Sequence, residues 1–550
     1  LVGKNKKNSK TMKMKKLAIY TLMVALFGGV SSCENPLKDF NLQISTEVIE
    51  NYVTLRVVDA DGANVSGVSV SLVSGDTEDI YNMNGYKDFK LTDNLITLGV
   101  DPARTPTANN PIRFRVQFSA PGYTTQTVPV AITDASAGIQ TVVLTKPTEV
   151  PDGAEEVVEN VDLNPDGSTA TETTVALPSA TGTGDMALTI PSGTQFRDAN
   201  GTVITGTNVQ IVVTSIDANN EDAVVLLPGG DLRADQVVLD GGATAAGTFS
   251  PAAVSDIRML VNGTQVRQFS QPLVVSMPVP SNYVSPITGQ AIAAGKNFQI
   301  FSNSGDGVWR FEQNSTVSGS ASTGYRVSFP ITHLTFYMAG EFAEACSAAR
   351  VINLSGDWMA NGTTAAVRVE AVWGGKVIAS GQYSIDQNNN SISLVNVPAT
   401  GVKIVVRKQD GNILAEGDLA ACGQVTAIQL PNPGDATSTT STLQLYVRCP
   451  GQTTVITLLP TFQMFYREVG TTEYKYLGSV SNGFLRTTLL KTDGTQYDFK
   501  AIWNERVKVV GGHSISEDNT ATVGIGPGDI IGSKAGSTNL AILTEECNNL

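Results

Sequence analysis

The chain has 550 residues, of which only 16% are charged, with a net charge of −14 and a pI near 4.7. So acidic a surface repels nucleic acid and offers no basic stripe, which excludes a nucleic-acid partner. At roughly 100–200 residues per domain the length leaves room for three to five domains. Abundant Thr, Val, Ser and Gly, with no sustained 3.6-residue periodicity past the N-terminal stretch, excludes helix bundles.

The first segment addresses the compartment. Lys4, Lys6, Lys7, Lys10, Lys13, Lys15 and Lys16 form a basic region, 17-LAIYTLMVALFGGV-30 is apolar, and small residues lead to Ser31, Ser32 and Cys33. A basic region, a short apolar core and a small-residue exit read as a secretory signal. Met14 opens a conventional signal by itself, so residues 1–13 are set aside. The stretch resembles a bacterial lipoprotein signal, which implies that Cys33 becomes the lipidated N-terminus. An uncleaved anchor helix is the other reading, but Gly28 and Gly29 weaken a helix and Glu34, Asn35 and Pro36 stop it. Residues 34–46 are polar and read as a tether, and no second apolar span follows up to Leu550. The expected anchor is therefore lipid alone, in the outer membrane and facing the cell surface.

Residues 47–147 alternate with period two. The run 53-VTLRVVDADGANVSGVSVSLVSG-75 reads as two strands around a turn at Asp61–Gly62, and 112-IRFRVQFSAPGYTTQTVPVAI-132 as two more around Pro121–Gly122. These two patterns resemble the carboxypeptidase-regulatory-like and transthyretin-like β-sandwich modules of bacterial surface proteins, which implies binding or spacing rather than catalysis. Tyr81, Tyr86 and Phe89, in 80-IYNMNGYKDFK-90, fall in a loop-like stretch and are candidate recognition residues. Residues 148–186 are rich in acids, Thr, Pro and Gly and read as an acidic linker, with one edge strand at 173-TTVALP-178.

A second sandwich is expected over 187–345. Its opening, 187-ALTIPSGTQFRDANGTVITGTNVQIVVTSID-217, resembles the first strands of the β-sandwich of ankyrins and netrin receptors, also found in Bacteroidota lipoproteins. Near its end stands 333-HLTFYM-338, with one of the chain's two histidines. That tripeptide resembles the autoproteolysis site of adhesion receptors, H-L followed by Ser or Thr. The resemblance implies that His333 takes the hydroxyl proton of Thr335, whose oxygen attacks the Leu334 carbonyl, giving an ester that water cleaves. The same residues also fit a plain closing strand over 328–339. His513, after two glycines, reads as a loop residue.

A third sandwich over 346–432 repeats the strand grammar of the first. A Thr/Ser-rich linker, 433–442, leads to a fourth sandwich over 443–550. Trp358, among turn residues in 353-NLSGDWMANG-362, is a further recognition candidate. With Cys33 assigned to lipid, Cys346, Cys422, Cys449 and Cys547 remain, and four cysteines allow three pairings. Cys346–Cys422 and Cys449–Cys547 are favoured, since each pair brackets one of the last two domains.

No C-x-x-C spacing, nucleophile elbow or complete calcium loop occurs, so no metal and no cofactor is expected. The acidic residues gather at turns, where Asx geometry accounts for them. The chain thus reads as all-β, a series of tandem β-sandwiches acting as a non-enzymatic binding, adhesion or spacer protein with a surface protein or glycan partner. The alternatives are a protein that cuts itself between Leu334 and Thr335 and a glycan-binding or glycan-degrading accessory lipoprotein.

Overall fold

The computed structural model describes residues 42–45, 49–147, 149–434, 440–448, 456–459, 461–503 and 506–522. Cys33, Cys449 and Cys547 lie outside the described residues, and so does the signal-like segment. The described chain is all-β: sheets packed face to face, with only short helical turns between strands.

In the first region, Tyr52–Asp59 runs antiparallel to Leu95–Val100 and parallel to Ile139–Leu144. Ser69–Gly75, Ile112–Ser119 and Gln126–Ile132 form the facing sheet. Alternate residues from both sheets, among them Val53, Leu55, Val57, Phe114, Val116 and Phe118, close one core. The expected turn is present, with Asp59 Oδ1 accepting the N–H groups of Asp61 and Ala63. The two runs it joins do not pair as a hairpin. After a single bridge from Val58 to Asn64 the chain crosses to the opposite sheet, where Ser69–Gly75 pairs with Ile112–Ser119. Each run has one apolar face, and placing them in opposite sheets lets both cover the same core.

The segment 148–186 is not a linker. Ala154–Asp162 pairs along its whole length with Asn208–Ile216, and Thr173–Pro178 pairs with Asp185–Ile190. Val157 and Val161 pack against the second core, while Val158, Asn160 and Asp162 on the opposite face are exposed. The acids that suggest disorder are spread along an edge strand, with Glu156 paired to Arg258, and charge on an edge discourages pairing with other chains. The second sandwich thus begins at about residue 154. It comprises a six-stranded and an eight-stranded sheet, the latter built on the long strand Thr244–Val261.

The third region repeats the plan of the first: Arg350–Ser355 is parallel to Val425–Gln429, as Tyr52–Asp59 is to Ile139–Leu144. It is not a separate bead. Its core residues Ile352, Val367, Trp373 and Ile404 belong to one cluster with Phe249, Val254, Phe301 and Met338 of the second region. The hairpin between Thr363–Trp373 and Lys376–Ile385 turns at Gly374 and Gly375, at φ 58° and 79°. This is the pair of positive angles a two-residue hairpin requires. Its tip docks on the second region so closely that a Cβ at Gly374 would lie 2.9 Å from Pro286 Cβ.

The fourth region carries a four-stranded sheet of Phe462–Glu468, Lys475–Val480, Gln496–Trp503 and Arg506–Ser514. Thr363 and Thr364 pair with Arg486 and Thr487, and Gln382 pairs with Ile139, so one sheet continues through the first, third and fourth regions. Leu42–Ser45, expected in the tether, is a strand parallel to Ile456–Leu459. The segment that leads into the first sandwich is therefore docked on the fourth.

Candidate functional site

The strand expected over 328–339 is broken in its middle. Gly324–His333 belongs to the six-stranded sheet and Phe336–Glu344 to the eight-stranded one, so Leu334 and Thr335 form the corner between them. Leu334 packs into the second core, and Thr335 is buried as well. The Thr335 hydroxyl donates to the Asn303 carbonyl. His333 lies with Nε2 3.6 Å from Glu312 Oε1, an ion pair when the ring is protonated, and the same oxygen accepts the Ser302 hydroxyl at 2.5 Å. The His333 carbonyl accepts the Tyr337 hydroxyl at 2.6 Å. A hydroxyl has one proton, and that of Thr335 is committed to Asn303, whereas His333 faces Glu312. A base must reach the proton it removes, and here base and nucleophile face different partners.

The recognition candidates separate by exposure. Tyr86 is 66% exposed. Tyr81 is partly buried in the short strand Ile80–Asn82, with Lys87 Nζ 5.0 Å from its ring centre. Phe89 packs on the first core. Trp358 is a plug, packed on the merged core within the short turn Asp357–Gly362, and its indole N–H is buried without a partner. The residues looked like an exposed loop because glycine and asparagine surround the tryptophan. His513 stands in the strand Arg506–Ser514 opposite Tyr497 rather than in a loop, and burial lowers its pKa.

Cys346 and Cys422 form a disulfide with Cα atoms 5.8 Å apart, as the bracketing argument expected. Arg350, almost wholly buried, lies beside it with Nη1 3.3 Å from Cys346 Sγ and 2.8 Å from the Pro398 carbonyl. Burial lowers its pKa.

The feature that sequence reasoning missed is a cleft of about 510 Å³ where the first, third and fourth regions meet. Tyr52 and Thr54 supply one wall, Ser384 and Asp386 a second, and Gln463 and Phe484 a third. The walls are held by bonds between regions: the Ser136 N–H donates to the Ser391 carbonyl at 3.0 Å, and the Ser479 N–H to Ser384 Oγ at 3.0 Å. No local signal marks these residues, because they come from segments hundreds of positions apart. Among the described residues, no group of metal-ligating side chains is present, and no helix is long and apolar enough to cross a membrane.

No protein-family model matches the chain, and no curated protein matches it. Among solved structures it is similar to the pilus backbone protein of Streptococcus pneumoniae, at 13% identity and a TM-score of 0.13, covering 38% of this chain and 59% of that one. It is also similar to the TIE protein of Bacillus anthracis, at 10% identity and a TM-score of 0.12, covering 67% and 57%. A third similarity is to the major pilin subunit of Bacillus cereus, at 10% identity and a TM-score of 0.12, covering 69% and 98%. The chain thus spans under two thirds of the length of the first two. At TM-scores this low the likenesses carry no argument about domain arrangement or activity.

Proposed function

We propose that this chain is a non-enzymatic spacer and binding protein of the bacterial cell surface, held to the outer membrane by lipid on Cys33. The observation that carries the reading is the fusion of its regions, by one sheet continued through three of them and by one core shared between the second and third. A series of sandwiches joined only by linkers would swing, whereas these hold a fixed spacing, and a fixed spacing suits a protein that presents a surface away from a membrane. Metabolic labelling with a radioactive fatty acid tests the anchor: label should enter the wild-type chain and be absent from Cys33→Ala. Protease shaving of intact cells should degrade the chain, and full protection would defeat the outward-facing assignment.

Self-processing at Leu334–Thr335 is the weaker reading, because the Thr335 hydroxyl donates to Asn303 and His333 faces Glu312. Intact-mass measurement separates the two: a single uncut species, unchanged in Thr335→Ala, is the expected result.

A further inference from the structure

We propose that the cleft between the first, third and fourth regions binds a neutral oligosaccharide. This deepens the binding half of the function given above and rests on it. The cleft's volume, about 510 Å³, falls within the roughly 300–1,000 Å³ of small-ligand sites.

Charge narrows the ligand first. Glu50, Asp134 and Asp386 line the cleft, and none of its described lining residues is Lys, Arg or His. A phosphate, a sulfated chain or a uronic acid would meet three carboxylates and no counter-charge, which acts against such ligands.

Polarity narrows it further. Most of the remaining wall is hydroxyl and amide: Thr54, Ser136, Thr364 and Ser384, with Asn51 and Asn388. Hydroxyls and amides both donate and accept, and a carboxylate accepts from two neighbouring donors at once. That inventory complements the vicinal hydroxyls of a sugar ring, each of which also donates and accepts. Asp386 is fixed for the purpose, since its Oδ1 accepts the N–H groups of Asn388 and Asn389 at 2.7 and 2.9 Å.

The aromatic component completes the match. Phe484 is 42% exposed although it lines a cleft, and a Cβ at Gly362 would lie only 3.9 Å from its ring. A part-exposed aromatic ring among polar walls suits the C–H face of a pyranose, which is apolar while its rim is polar. A peptide fits less well. The wall strand Tyr52–Asp59 is hydrogen-bonded on both sides, to Leu95–Val100 and to Ile139–Leu144, and leaves no edge for an extended chain to join.

The test is titration calorimetry of the purified full mature chain against cellohexaose, mannohexaose, xylohexaose, tetragalacturonate and hexalysine. At least one neutral hexaose should bind with a Kd below about 1 mM, and tetragalacturonate should not. Phe484→Ala and Asp386→Asn should each weaken that binding at least tenfold, while Phe484→Trp retains it. The aromatic position is part exposed, so these variants should fold, and unchanged near-ultraviolet dichroism checks that they do. No saturable binding of any neutral hexaose, binding indifferent to Phe484→Ala, or preference for hexalysine would each overturn the proposal. Because the measurement is made in solution, it fails or succeeds independently of the fatty-acid labelling and shaving that test the surface assignment.

Discussion

The first and third regions follow one plan and reach different degrees of independence. Each begins and ends on a pair of parallel strands, Tyr52–Asp59 with Ile139–Leu144 in one and Arg350–Ser355 with Val425–Gln429 in the other. The first closes its own core from its own strands. The third shares its core with aromatic and aliphatic residues of the second and is clasped by Cys346–Cys422. Strand order therefore does not decide whether a sandwich stands alone. What decides it is whether apolar side chains of a neighbouring sheet also point into the space between its strands.

The largest expected effect probes that shared core. Phe249 is 1% exposed, and its ring centre lies 5.0–5.2 Å from those of Phe301, Trp309 and Phe342. Phe249→Ala should cost about 3–5 kcal/mol and, in calorimetry, lower a single transition that includes both the second and third regions. Phe118→Ala, equally buried in the first core, should cost about as much but lower only the transition of the first region. If Phe249→Ala left the third region's transition in place, the merged core would be two cores in contact.

These effects fall where the sequence was least informative. Period-two alternation made the strands legible, and Asx–Gly pairs made turns such as Asp59–Ala63 legible. Burial on the sheet faces follows from the same alternation. What alternation does not carry is which sheet a strand joins. Alternation makes Ser69–Gly75 the partner of Tyr52–Asp59, yet it lies in the opposite sheet, and it puts His333 and Phe336 in one strand, yet they lie in two. The composition of Ala154–Asp162 hides it, since an edge strand this rich in acids resembles a disordered linker. The cleft was illegible for a further reason: Tyr52, Asp386 and Phe484 become neighbours only through pairings between regions.

The disulfide sharpens the comparison by a similar amount. It closes a loop with a sequence separation of 76, for which loop-closure entropy gives about 4.5 kcal/mol at most. Reduction, or Cys346→Ser with Cys422→Ser, should lower the transition of the merged second and third regions and leave that of the first unmoved. A matching loss in the first region would mean that the two sandwiches unfold as one.

A titration distinguishes them as well. Lys376 sits where the third region meets the second, its ammonium donating to the Pro251 carbonyl at 2.8 Å. Burial pushes its pKa from an ordinary 10.5 down to about 8, partly offset by Asp217. Below about pH 8 both folded and unfolded chains carry the proton, and the burial cost is present in full. Between about pH 8 and 10.5 the unfolded chain holds a proton that the folded chain has released, so stability rises with pH across that window. The gain is about 3 kcal/mol and should be absent from Lys376→Met, as chemical denaturation at pH 7, 9 and 10.5 would read. A rise of equal size in the variant would assign the titration to another group.

The smallest effect concerns the joint between the first region and the second. Arg115 is nine-tenths buried and bidentate, with Nε 3.0 Å and Nη2 2.9 Å from the two carboxylate oxygens of Asp235. It is also held by Gln236 Oε1 at 3.3 Å and reaches the Asp306 carbonyl at 3.5 Å. Asp235→Asn therefore leaves the guanidinium partly satisfied, and the cost should be near 1 kcal/mol. For a region of this size that moves the midpoint of unfolding by about 4–8 °C. The informative quantity is which transition moves. If the pair supports the first region, its own transition should fall and that of the merged core should stay. A shift confined to the merged core would show that Asp235 serves the second region alone, and that the first region's unfolding does not depend on the Arg115–Asp235 pair.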